Sequence, residues 1–273
     1  MQRRHLATPH GRIAIVESEG AGPVVFLCHG NSGGADDFAG LLDSPLGQRF
    51  RLVALDLPGH GASDAAREPM QGYSLAGFGE AVQAAIAAYL AIVGSERYWL
   101  VGQSLGGHVL MESLHRLPGA RGLVLLSAPP LAAHTLAEAF KPDPTGGALF
   151  AAEISREQEE LMARAFVNTT EGPLADRIRA GLRATDPRMR ECLGKTLGAI
   201  ADERALFDRA AVPVAVMAAT DDAFLQGAYY TTLAKARMWG GQPIWCEGKP
   251  HALQLAAVVD VARVVEALVE ATA

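Results

Sequence analysis

The chain has 273 residues, 49% hydrophobic and 20% charged, with 24 Lys+Arg against 30 Asp+Glu. It can bury a sizeable core without metal or disulfide staples, and one large domain with room for an inserted piece is expected. The formal charge of −6, with no Lys/Arg-rich block, gives no electrostatic footprint for nucleic acid.

The basic start, MQRRHLATPHGR, lacks the apolar core and small-residue cleavage site of a secretory signal, and no apolar run is read as long enough to span a bilayer. A cytoplasmic protein, monomer or homodimer, with no membrane partner is therefore expected. Cys28, Cys192 and Cys246 are an odd, widely spaced set, which points to reduced thiols. No HExxH or CxxC spacing occurs, so neither a metal nor another cofactor is expected.

In chain order, strands are predicted at His5–Thr8 and Arg12–Glu17, joined by a Pro9-His10-Gly11 turn, then at Pro23–Cys28, Arg51–Asp56, Arg97–Gly102, Gly122–Ser127, Val212–Ala218 and Pro243–Cys246. VVFLC, LVLLS and VPVAVMAA are nearly continuous apolar runs, as strands covered on both faces should be. Helices fit Leu75–Val93, Leu105–Arg116, Gly227–Met238 and Leu253–Ala271. The expected class is α/β: a mostly parallel eight-stranded sheet with helices on both faces. The segment after Pro129 breaks the rhythm, running through KPDPTGG into three charged helices without a strand. The expected organisation is core over 1–129, a helical insertion over 130–204, and core again over 205–273.

The chemistry centres on VGQSLGG. Ser104 sits between Gly102 and Gly106 where a strand must turn sharply into a helix, a geometry that lifts the hydroxyl above the carboxyl end of the sheet. A serine hydroxyl needs a base, and the base a third group to orient it. His251 is the only histidine after His134, and it follows the last predicted strand. The acid is Asp221 or Asp222, just past the strand ending at Ala218, one facing the imidazole and the other capping the turn. Attack on a carbonyl makes an oxyanion that needs preorganised donors. The Leu105 N–H and the Asn31 N–H, in the small-residue loop CHGNSGG, are the candidates. The Asn31 side chain is read either as a substrate contact or as a turn residue tolerant of unusual φ/ψ. His29 and His60 are read as ties between loops, His108 as a packed residue, and Trp99 and Phe38 as core or pocket wall.

HGNSGG, DLPGHGASD, GQSLGG, LVLLSAPP, AATDD and GKPHAL together resemble the successive signature segments of the α/β-hydrolase superfamily. The resemblance implies that fold, a helical cap in place of the insertion, and Asp222 as the acid, three residues after the small Ala219. Within the superfamily, HGRIAIVESEG, HGNSGG, DLPGHG, SLGGH and RGLVLLSAPP are similar to the α/β-hydrolase-type N-acyl homoserine lactonases, metal-free enzymes that open the lactone ring of bacterial signals. Two positions depart from that pattern: the acid, Glu in those lactonases, is Asp222 here, and a cap Tyr associated with their substrate falls at Met162. The resemblance implies a serine hydrolase acting on an ester or lactone of a small, partly apolar acyl compound. A carboxylesterase, a carbon–carbon bond hydrolase, a cofactor-free oxygenase or lyase, and a ligand-binding protein share the scaffold.

Overall fold

Alternation of side chains along the strands decides the layers. In β3 (Val24–Cys28), Phe26 faces one cluster of buried apolar residues, while its neighbours Val25 and Leu27 face another on the opposite side of the sheet. Both faces are therefore covered, and the strand reads apolar throughout. The computed structural model describes residues 1–273. Its other strands are β1 (Gln2–Thr8), β2 (Gly11–Glu17), β4 (Arg51–Leu55), β5 (Tyr98–Gln103), β6 (Ala120–Leu126), β7 (Val214–Ala219) and β8 (Ile244–Cys246). They form one eight-stranded sheet in the order β1-β2-β4-β3-β5-β6-β7-β8. β1–β2 and β2–β4 are antiparallel, and every later pairing is parallel. All eight expected strands are present.

The helix Leu75–Val93 begins where Ser74 Oγ accepts the Gly77 N–H at 3.0 Å and ends at Gly94, whose φ of 69° places it in the left-handed region. Contrary to the sequence expectation, this helix is long and apolar enough to cross a bilayer by length and composition. Its Phe78, Val82, Ile86 and Tyr89 recur at helical spacing and are buried in the core, which accounts for the apolar character.

Two further expectations are corrected. The helix predicted over Gly227–Met238 is helical only at Gly227–Tyr230, with a short 3₁₀ turn at Lys235–Arg237. Thr231 and Thr232 hydroxyls donate back to the Ala228 and Tyr229 carbonyls, a local alternative that competes with helix continuation. The C-terminal helix is split into Leu253–Ala256 and Val258–Thr272 by Ala257, which leaves helical geometry at φ −133°, ψ 38°.

Between β6 and β7 the chain makes no strand of the sheet and forms helices at Arg156–Val167, Gly172–Ala184 and Pro187–Thr196, with shorter pieces at Leu136–Ala139 and Glu203–Asp208. Their starts are legible: Ser155 and Gln158 make a reciprocal capping box, and Pro173 and Pro187 lie in first turns, where a missing N–H costs nothing. This inserted segment lies over the carboxyl ends of β3 and β5.

Candidate active site

Ser104 stands at the junction of β5 with the helix Leu105–Ser113, at φ 47° and ψ −119°. A non-glycine residue there is strained, and the neighbours hold it. The Ser104 N–H donates to Leu126 O at 2.9 Å, and the Ser104 carbonyl accepts from the Gly107 and His108 N–H groups. Glycine at 106 is required by close approach, because a Cβ there would lie 2.3 Å from Cys28 O. The elbow expected from the sequence is present, with Ser104 partly exposed.

Asp222 and His251 come together from the loops after β7 and β8. His251 Nδ1 donates to Asp222 Oδ2 at 2.7 Å, and both residues are 3% exposed. The sequence reading divided orientation and turn capping between Asp221 and Asp222. The structure gives both tasks to Asp222, whose Oδ1 accepts from the Phe224 and Leu225 N–H groups at 2.8 and 3.1 Å. Asp221 is exposed. Burial pushes the Asp222 pKa up, but His251 and the two backbone donors outweigh it, so the carboxyl lies below its ordinary range. With Nδ1 committed to Asp222, Nε2 is the free ring nitrogen. Phe166 and Phe224 stand edge-on to the imidazole at centroid distances of 5.4 and 4.7 Å and fix its plane.

Ser104 makes no hydrogen bond to the imidazole in this structure; the two positions are linked through Gln103, whose Nε2 donates to His251 O at 3.4 Å. The Gly30–Gly33 loop covers the serine, and a Cβ on Gly30 would lie 2.1 Å from Gln103 Oε1 and 3.2 Å from Ser104 Cβ. The Asn31 N–H meets no acceptor within the chain, and the Leu105 N–H opens its helix without a carbonyl one turn behind it. Both are donors left available at this rim.

The structure gives the Asn31 side chain a task that neither sequence reading foresaw. Its Nδ2 donates to Leu149 O of the inserted segment at 2.9 Å, and its Oδ1 accepts from Ser32 Oγ at 2.8 Å. The left-handed backbone belongs to Ser32, at φ 57°. Arg190, buried in the insertion, donates to Ser32 Oγ at 3.5 Å and to the Ala151 and Ala152 carbonyls. Arg177 pairs with Asp37 at 2.9 Å. None of these partners was found from sequence: Asn31 with Leu149 and Ser32 with Arg190 join positions more than a hundred residues apart, and the Arg190 contacts to Ala151 and Ala152 depend on how the insertion folds on itself.

Of the two histidines expected to tie loops together by hydrogen bonds, His29 does so, whereas His60 bonds only within its own loop and its Nε2 is buried without a partner. His29 Nδ1 donates to Gly30 O at 2.8 Å and Nε2 accepts the Leu57 N–H at 3.0 Å, while His60 Nδ1 donates to Pro58 O at 3.1 Å. Burial lowers the pKa of both. His108 packs against the buried carboxylate of Glu203, 2.9 Å from Nδ1. Trp99 and Phe38 are core residues of the layer under the C-terminal helix.

A cavity lies beside this rim. Met162, Phe166, Ile178 and Leu182 line it from the insertion, and the Gly30–Gly33 loop, Gln103 and Gln254 line it from the core. The site thus brings a strained serine, a carboxylate-oriented imidazole and free backbone donors to the carboxyl edge of the sheet, next to a space that four apolar side chains of the insertion line together with Arg177. Such an arrangement can carry out acyl transfer.

Comparison with known proteins agrees with this fold. Crystal structures of the N-acyl homoserine lactonase AidH superimpose with a TM-score of 0.90 at 28% identity for a complex with N-hexanoyl homoserine, covering 99% of this chain and 97% of that one. An esterase from Rhodococcus sp. ECU1013 superimposes at 0.75 with 22% identity over the full length of both chains, a likeness of fold. In sequence, an uncharacterised protein of Mycobacterium tuberculosis is 28% identical over 269 residues, 89% of this chain and 74% of its own length. A 2-succinyl-6-hydroxy-2,4-cyclohexadiene-1-carboxylate synthase of Pectobacterium atrosepticum is 32% identical over 183 residues, 58% of this chain and 66% of the synthase. The model of the α/β-hydrolase fold family matches residues 23–244, and the chain belongs to that family.

Proposed function

We propose that the protein is a metal-independent serine hydrolase that opens an ester or lactone of a small, partly apolar acyl compound, with an N-acyl homoserine lactone as the favoured substrate. The observation that carries this reading is the 2.7 Å bond from His251 Nδ1 to Asp222 Oδ2 at the rim that bears Ser104. His251 Nε2 takes the Ser104 proton, and the alkoxide attacks the carbonyl carbon. The Asn31 and Leu105 amides receive the oxyanion, and Asp222 stabilises the imidazolium. The imidazolium then protonates the leaving oxygen, which in a lactone stays attached to the acyl group. Water, deprotonated by the same imidazole, attacks the acyl-enzyme and releases the acid. The inserted helices act as a cap whose Met162, Phe166, Ile178 and Leu182 receive the acyl chain. Met162, where the resemblance places a substrate-contacting Tyr, offers no hydroxyl.

The test is a screen of acyl lactones against simple esters with product masses recorded: ring opening adds one water without splitting the molecule. Ser104→Ala is expected to lower turnover by roughly 10³-fold or more. A second reading, a cofactor-free lyase on the same scaffold, would use the His251–Asp222 pair without a covalent serine, in keeping with the lack of a hydrogen bond between Ser104 and the imidazole. Near-normal turnover of any substrate by Ser104→Ala would favour that reading and remove the covalent one.

A further inference from the structure

Gln254 is 2% exposed and lies three residues past His251, on the turn Leu253–Ala256. It is the lone polar side chain in the run ALQLAA that follows His251 and lines the cavity between the insertion and the core. Its Oε1 is buried and finds no donor anywhere in the chain. Most buried polar side-chain atoms are paired, because an unpaired one forfeits its bond to water with no return; of the few in this chain that are not, Gln254 Oε1 is the one carbonyl oxygen. Gln103, on the same cavity, is tied to the His251 carbonyl instead. The insertion side of the cavity carries four apolar side chains, Met162 and Phe166 among them, beside Arg177, whose charge is paired with Asp37. An occupant that suits these surfaces has an apolar chain against the four apolar side chains and an N–H or O–H donor for Gln254 Oε1.

We infer that Gln254 Oε1 is the acceptor for an N–H of the bound ligand, so that the site selects acyl compounds joined through a secondary amide over plain lactones and esters of the same length. The inference rests on the proposed active site and adds a specificity-determining residue to it. A site built around such an acceptor discriminates strongly, because a ligand without the donor leaves the oxygen buried and unpaired.

Binding to the Ser104→Ala protein, read by calorimetry so that nothing need be turned over, tests it with two probes. One is N-hexanoyl homoserine lactone. The other is its analogue with CH₂ in place of the amide N–H. The amide is expected to bind about tenfold or more tightly, and adding Gln254→Met should bring the two within about twofold through loss on the amide alone. Equal affinities in the Ser104→Ala protein would assign the orphaned oxygen to a resident water and overturn the inference, as would a preference that survives Gln254→Met or a failure of both probes to bind. Should Gln254→Met not fold, the comparison of the two probes decides alone. Turnover by the wild-type protein separates this inference from the lactonase reading. Preferential binding of the amide with neither ring opened retains Gln254 and rejects the lactonase, whereas equal opening of both rings does the reverse.

Discussion

The Asn31 side chain, 118 residues away in sequence, holds the carbonyl of Leu149 through a 2.9 Å hydrogen bond from its Nδ2. The loop whose backbone N–H is proposed to meet the oxyanion is thereby fastened to the inserted helices, and Ser32 and Arg190 extend the connection. Asn31→Ala keeps the backbone donor and removes only the fastening. One buried hydrogen bond of about 1–1.5 kcal/mol is at stake, so kcat on a hexanoyl ester should fall about tenfold with KM changed far less. A rise in KM at constant kcat would show instead that the side chain serves substrate binding.

Asp37 introduces a dependence on pH. Burial pushes its pKa up to about 6, and Arg177, 2.9 Å away, offsets this only in part; nearby Asp56 adds slightly to the rise. The folded protein therefore holds this proton more tightly than the unfolded chain, whose value is near 3.9. Stability conferred by the protonated group is full below about pH 4 and is lost as pH climbs toward 6, by roughly 3 kcal/mol. Asp37→Asn should abolish that decline. Urea unfolding at intervals between pH 4 and 7 would show it, and parallel curves for the two proteins would refute it.

His108 and Glu203 make the opposite case. Burial pushes the His108 pKa down, but Glu203, with a smaller contribution from Glu112, more than reverses this and leaves it raised. A base raised by folding stabilises fully below its ordinary value near 6.5, and the contribution fades as pH passes upward through the raised value. Glu203 also accepts the Leu131 N–H at 2.8 Å at the start of the insertion. His108→Ala should cost about 3–5 kcal/mol at pH 6, since it leaves a buried carboxylate without its partner. The cost should be smaller at pH 9, since the charge that folding stabilises is lost as pH climbs through the raised value. Denaturant midpoints at the two pH values measure the difference, and an equal cost at both would mean that the pair is not ionic.

How much of this was legible in the sequence follows the range of each interaction. The elbow at Ser104 is local: the strand, the serine and the flanking glycines lie within one short stretch, and the strained φ follows from them. The strands were legible because each is apolar on both faces or alternates, and period 2 needs no distant information. His251 could be chosen because so few histidines follow the serine. The division of labour between Asp221 and Asp222 could not, since two adjacent carboxylates differ only in which way the turn points them, and one carboxylate has two oxygens for two tasks. The Gly227–Met238 segment has helical composition, yet Thr231 and Thr232 bond back to the preceding turn. Asn31 with Leu149, Ser32 with Arg190 and His108 with Glu203 are pairings that only the assembled fold creates. For Gln254 one signal existed, a single amide in an apolar run, but its partnerless oxygen is a property of packing.

Gly181 offers the sharpest test of whether the insertion holds the Gly30–Gly33 loop. It lies inside the helix Gly172–Ala184, where glycine is about 1 kcal/mol worse than alanine, so on helix propensity alone Gly181→Ala should stabilise the protein. The packing argues otherwise. A Cβ at this position would stand 2.4 Å from the carbonyl oxygen of Ser32, a backbone atom that cannot swing aside, in a residue already held at φ 57°. Either the helix withdraws or the loop moves, and overpacking of this kind costs about 1–3 kcal/mol. The shift would also loosen the Arg190 contact to Ser32 Oγ and displace the Asn31 N–H. Steady-state hydrolysis and thermal unfolding of the same variant should therefore both decline, kcat by about 10- to 100-fold as the proposed oxyanion donor moves off its mark. A variant that gains stability and keeps full activity would mean that the inserted helices rest on the loop without determining its geometry.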